Sequence, residues 1–161
     1  MSATIRKLTV GLGVVLVLTL AGCAPHYPAD PHHTLTRVTG GTVAVGVSHN
    51  EPFTSVEGPT PSGREVELVR GFAESLGAEV EWTVGGEEEL VGKLEHGQID
   101  MLIGGLTQKT PWKKKTGLTR SYTEVVNEFG TTEKHVMAVR KGENAFLLEL
   151  DKYLQAQGGQ Q

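Results

Sequence analysis

The chain has 161 residues, of which 15 are Lys or Arg and 19 are Asp or Glu, giving a net charge of −4 with its six histidines neutral. That acidic balance argues against a nucleic-acid partner, and a lone cysteine, Cys23, excludes a disulfide within one chain. The length beyond the N-terminal region suffices for one modest core and not for two.

Arg6 and Lys7 precede an uncharged apolar run from Leu8 to Leu20 that ends in "LAGC". The run is 13 residues long, short of the ~20 that a bilayer-spanning helix needs, so residues 1–22 read as a secretory signal. Leu20-Ala21-Gly22-Cys23 resembles a bacterial lipobox, which implies that Cys23 is acylated and holds the chain in the cell envelope, facing the periplasm or the outside. Cleavage there would remove Arg6 and Lys7 and leave 13 basic residues against 19 acidic ones, a net charge of −6. Residues 23–39 include "APHYPADPHHTLTRVT", with three prolines, three histidines and no apolar periodicity. They are expected to form a flexible tether. No carboxylate or cysteine stands at ligand spacing from His26, His32 and His33, so a polar linker is preferred to a metal site.

The lobe itself is expected over residues 40–157. "TVAVGV", Thr42 to Val47, is a β-branched run that ends at the polar turn "SHNEP" and reads as a buried first strand. In "PSGREVELVRGFAESLG", Val66, Val69, Phe72, Ala73 and Leu76 recur at helical spacing, with Ser62 and Glu65 as a capping box and Gly77 as the stop. "AEVEW" is a second strand. "GGEEELVGKLEHG" is a second helix, its glutamates at the start and Lys93 and His96 near the end, as the helix dipole favours. "IDMLI" makes a third strand, so the order implies right-handed crossovers and a mostly parallel sheet covered by helices.

Beyond the loop "GGLTQKTPWKKKTGLTR" the pattern changes. "SYTEVVNEFGTTEKHVMAVRKG" gives two β-rich runs with no room for a helix between them, so a hairpin or close antiparallel pair is expected. "ENAFLLELDKYLQ" closes the lobe as a helix with Phe146, Leu147, Leu150 and Leu154 on one face, and residues 158–161 form a disordered tail.

Taken in this order, "GTVAVGVSHNEPFTSVEG", "PSGREVELVRGFAESLGAEVEW", "EEELVGKLEHGQIDMLIGGLT", "KKKTGLTRSY" and "HVMAVRKGENAFLLELDKYL" resemble the family 3 extracellular solute-binding proteins, the amino-acid-type receptors of bacterial ABC importers. The resemblance implies an α/β fold of the type II periplasmic-binding-protein kind, in which two lobes hold ligand between them. Only the first lobe is represented. Where the family inserts its second lobe, this chain has the eight residues Asn127 to Lys134.

The resemblance places a ligand at the carboxyl ends of the parallel strands, where open α/β sheets bind. The residues implied are Asn50 and Phe53 after the first strand, Arg64 after "PSG", Gly105, Leu106 and Thr107 after the third, and Trp112. Backbone amides around Gly105 to Thr107, with the Thr107 hydroxyl, can donate to a carboxylate. Two departures matter. Arg64 in "GREVEL" stands where the family often has an aromatic, and Trp112 in "TPWKKK" aligns with the arginine that clamps an α-carboxylate. An indole cannot form that bidentate pair. For Trp112, two readings stand equally: it packs the loop back onto the lobe, or it forms an exposed aromatic wall.

A binder of small polar solutes, serving an ABC permease or another envelope protein, is the first functional expectation. If a two-lobe cleft binds at ~1 μM, half its contacts leave ~1 mM, unless a homodimer or a membrane partner supplies the opposite wall. The alternative is a ligand-free interaction module that docks through Trp112, Phe53 and Lys113 to Lys115. No enzyme activity and no cofactor or metal is expected. The chain lacks a Gly-x-Ser-x-Gly elbow and a phosphate loop, and its folded part lacks His-Glu metal spacing.

Overall fold

The computed structural model describes residues 29–158. The signal segment, the lipobox and Cys23 therefore lie outside the described residues, as do residues 159–161.

A five-stranded sheet runs in the order β2 (Glu79–Val84), β1 (Thr42–Val47), β3 (Met101–Ile103), β7 (Ala138–Arg140), β4 (Thr116–Leu118). β1 pairs in parallel with both β2 and β3, while β7 is antiparallel to β3 and to β4. Four of the five strands thus share one direction, and β7 alone is reversed. A separate antiparallel hairpin, β5 (Thr123–Val126) and β6 (Thr132–His135), connects β4 at the sheet edge to β7.

Alternation along the strands sorts side chains into two cores. Val43, Val45, Val47, Met101, Ile103, Met137 and Val139 face one layer, filled by α2 (Arg64–Ser75) through Val66, Val69 and Phe72 and by α4 (Asn144–Gly158) through Phe146, Leu150 and Leu154. Leu102 and Ala138 face the other, filled by Leu90, Val91 and Leu94 of α3 (Glu87–Glu95). Gly46 permits that second layer: a Cβ there would come 2.6 Å from the Ile99 Cδ1 and 3.1 Å from a Leu90 methyl. Every helix and strand expected from the pattern is present, and the mostly parallel α/β lobe with an antiparallel pair is the observed fold.

Several local expectations change. Residues 29–39, the described part of the proposed tether, are docked instead. They carry a short helix α1 (Thr34–Val38), with Thr34 and Val38 buried. The Glu143 carboxylate accepts from the His32 and Thr34 amides at 3.2 and 3.3 Å, and the Asn144 amide donates to the Ala29 carbonyl at 2.8 Å. A five-residue helix is too short to show periodicity, and its partner is more than 100 positions away. The capping box is also absent: Gly63 is the N-cap of α2 and no side chain caps it. Glu65 turns into the core. β4 forms within a segment read as loop, and α4 continues through Ala156 to Gly158, where the tail is expected to begin.

Candidate functional site

β1 and β3 are neighbours in the sheet, so the loops leaving their carboxyl ends meet. The first, Ser48 to Thr54, clasps itself: Asn50 and Thr54 exchange backbone hydrogen bonds at 3.0 and 2.9 Å. The Asn50 side-chain amide then donates to the Gly104 carbonyl of the second loop at 2.9 Å. That approach requires glycine at 105, where φ is +65° and a Cβ would lie 2.5 Å from the Asn50 Nδ2.

Beneath these loops lies a buried carboxylate. Glu65 is 0 % exposed. One of its oxygens accepts from the Gly104 and Gly105 amides at 2.8 and 2.9 Å, and the other accepts from the Tyr122 hydroxyl. Burial raises its pKa, against the downward pull of the Gly105 amide, Tyr122, the Gly104 amide and the nearby positive charge of Arg64. Burial, with the Glu65 charge beside it, also drives the Tyr122 hydroxyl far above its ordinary value, which keeps it a donor. A carboxylate with three donors locks the turn after β3 to the start of α2 and to the strand-entry residue Tyr122.

Phe53 and His135 stack on the flank of this turn, with ring centroids 4.0 Å apart. The His135 Nδ1 lies 3.2 Å from the Gly105 carbonyl, an acceptor only, so the proton sits on Nδ1. Its Nε2 is buried without a hydrogen-bond partner. Burial lowers the His135 pKa, which holds the ring neutral near pH 7.

An open cleft of about 260 Å³ lies over the turn, lined by Asn50, Gly104 to Thr107 and the exposed Lys109, with Glu87, Thr110 and Pro111 on its far side. A second groove of about 270 Å³ continues from Thr107 to Lys109 along Thr132 to Lys134 of the hairpin. Four expected site residues, Asn50, Gly105, Leu106 and Thr107, therefore line the cleft together. Thr107 Oγ1 accepts from the Lys109 amide at 3.3 Å, which leaves its own O–H to donate.

The other three are placed differently. Phe53 is 9 % exposed and lies under the loop. Arg64 sits at the first turn of α2, close enough to Glu65, Tyr122 and His135 for its charge to act on each. Trp112 is half-buried against the α3 core, and its indole N–H donates to the Glu87 carboxylate, so it packs the loop onto the lobe rather than walling the cleft. The amides of the turn also differ from expectation, because Gly104 and Gly105 already donate to Glu65. The surface proposed for a docking module is split. Phe53 is covered, and Lys115 pairs with Glu95 at the opposite end of α3 from Trp112.

Glu65, Tyr122, His135 and Lys109 were not anticipated. Glu65 had one readable signal: position 65 falls on the helical stripe of Val69, Phe72 and Leu76, so a carboxylate stands on the apolar face. Among the described residues, no group of three or more His, Cys, Asp and Glu is placed to hold a metal ion. No described helix is long and apolar enough to cross a membrane.

Comparison with known proteins agrees with this fold. The chain is 34% identical over 107 residues to membrane-bound lytic murein transglycosylase F of Vibrio cholerae serotype O1, a match that covers 65% of this chain and 19% of that protein. It thus spans about a fifth of the length of that relative. Among solved structures, the arginine-bound form of domain 1 from TmArgBP is similar, with a TM-score of 0.66 and 26% identity over 75% of this chain and 97% of that one. The L-cystine solute receptor of Neisseria gonorrhoeae, in its unliganded open conformation, shares the fold with a TM-score of 0.64 at 13% identity, covering 79% of this chain and 92% of that one. The model of the bacterial extracellular solute-binding proteins, family 3, matches residues 43–158, and the chain belongs to that family.

Proposed function

We propose that this chain is a lipid-anchored solute-binding lobe that holds a small polar solute of the amino-acid class on its cleft face and presents it to an envelope transporter. The observation that carries this reading is the cleft itself, at the carboxyl ends of β1 and β3, with Asn50, Thr107 and Lys109 converging on about 260 Å³. That volume sits just under the ~300–1,000 Å³ of complete small-molecule sites, as one half of a site would. The Glu65 anchor favours binding by a single lobe, because a turn already fixed in place loses less freedom when ligand arrives. The related TmArgBP domain 1, described in an arginine-bound form, supports the same point.

Since Gly104 and Gly105 donate to Glu65, a solute carboxylate would be met by the Thr107 hydroxyl and the Lys109 ammonium. Titration calorimetry of the full chain against arginine, cystine and glutamate tests the reading. One of them should bind with a Kd near ~1 mM or tighter, and Thr107→Val should weaken it about fivefold or more. Heats flat to ~10 mM for all three would exclude a free receptor. The anchor is tested separately: palmitate labelling in cells should vanish in Cys23→Ser.

A second reading, an interaction module without ligand, is favoured by one specific feature. The hairpin, whose second strand lines the groove next to the cleft, carries Val126 at 65 % and Phe129 at 82 % exposure. Capture of an envelope protein that is lost with Phe129→Ser and indifferent to solute would support that reading over the first.

A further inference from the structure

The basic run Lys113 to Lys115 does not face the cleft. Trp112 is tied to Glu87 at the start of α3 and Lys115 to Glu95 at its end, 3.2 Å away, so the run crosses α3 toward the amino ends of the strands. There Lys114 and Lys115 meet His32, Arg140 and Lys141 around a groove of about 310 Å³. An adjoining groove of about 180 Å³ adds Arg37 and Asp100. Together the two grooves are lined by five Lys or Arg and two carboxylates. That inverts the balance of a chain whose net charge is −4.

Both carboxylates are already engaged. Glu95 pairs with Lys115, while Asp100 pairs with Arg37 and accepts from the Ala44 amide at 3.0 Å. Behind the grooves, Glu143 is 1 % exposed and accepts from the His32 and Thr34 amides. Arg140, Lys114 and Lys141 have no carboxylate partner among the described residues. Lys141 instead donates to the Lys114 carbonyl at 2.8 Å, which holds these cations side by side. Like charges gathered this way repel one another unless an anion stands among them.

We propose that this surface docks on the anionic lipid head groups of the membrane that carries the N-terminus, so that the lobe lies with its cleft turned away from the bilayer. The proposal rests on the reading of Cys23 as the lipid anchor. His32 lies nine positions after Cys23, and at ~3.3–3.6 Å per step the span is at most ~32 Å. The chain therefore enters the lobe at the basic end, and the tether keeps that end near the lipid. Phosphate is the recognised group, met by Arg140 with its fork of donors and by the lysines as point charges.

The test uses the full acylated chain in vesicles of phosphatidylcholine alone and in vesicles with about one-third phosphatidylglycerol. Lysine acetylation read by mass spectrometry reports which face is covered. On the anionic vesicles Lys114, Lys115 and Lys141 should react about fivefold more slowly, with Lys109 and Lys134 at the cleft end unchanged. The difference should vanish in about 1 M salt, where screening acts within ~3 Å. The double variant K114E and K141E should restore Lys115 reactivity while the protein stays on the vesicles. Equal labelling on the two lipids overturns the proposal. So does protection on phosphatidylcholine by added inorganic phosphate, which would assign the site to a soluble anion. Release from phosphatidylcholine in about 1 M salt sinks the anchor reading alone, because lipid-dependent protection still decides the docking.

Discussion

The two ends of the sheet handle charge in opposite ways. At the carboxyl ends, one acidic group, Glu65, is buried and answered by two neutral amides and a hydroxyl, so a buried acceptor fixes the shape of a turn. At the amino ends, cations stay at the surface, and several lack a carboxylate partner among the described residues. Buried charge is costly to place and costly to remove, and therefore rigidifies its surroundings, whereas exposed charge contributes little to stability and remains available to a partner. The cleft end is built to hold its form, and the basic end is left to meet something outside the lobe.

That contrast is most sharply tested at Glu65. Glu65→Ala leaves three buried donors without an acceptor and should cost about 3–5 kcal/mol in urea unfolding, while Lys114→Glu at the other end should stay within about 0.5 kcal/mol. Comparable losses at both sites would break the comparison. Phe53→Ala, which removes a ring stacked on His135, should cost about 3 kcal/mol and weaken solute binding as the loop loosens.

Smaller effects should appear in the pH dependence. Burial holds the Glu65 carboxyl above its ordinary 4.5, so its contribution to stability is full below pH 4.5 and is lost as pH rises through the folded value. His135 behaves conversely. Burial holds it below its ordinary 6.5, so its contribution is full above pH 6.5 and is lost as pH falls through the folded value. Urea unfolding across this range should show Glu65→Gln removing the first slope and His135→Gln the second. Trp112→Phe, which loses only the indole donor to Glu87, should cost about 1 kcal/mol by the same measurement. Phe129→Ser should change stability least, within about 0.5 kcal/mol, because that ring is 82 % exposed.

Much of the fold was readable because its signals are local. The β-branched run at Thr42 to Val47, the stripe through Val66, Val69 and Phe72, and the stop at Gly77 each state an element within one or two turns of chain. Of the expected candidate-site residues, those that line the cleft together are the ones backbone position decides, Asn50 and Gly105 to Thr107. Side-chain roles were less legible. Trp112 permitted two readings until Glu87, 25 positions earlier, was seen beside its indole N–H. β4 was hidden because three residues, Thr116 to Leu118, show no period of their own and form a strand only when β7 offers an edge.

The sequence by itself determined the strands and helices other than α1 and β4, the hairpin in the place of a second lobe, and the family to which the lobe belongs. Tertiary structure decided where charge resides. Glu65 stands on the apolar stripe of its helix, but its partners come from residues 39, 40 and 57 positions later that close around it only in the fold. The same folding carries Lys114 and Lys115 away from the cleft to meet Arg140 and Lys141. Periodicity is a property of neighbours along the chain, while the cost or use of a charge depends on what surrounds it in space, and that is fixed only when distant segments pack.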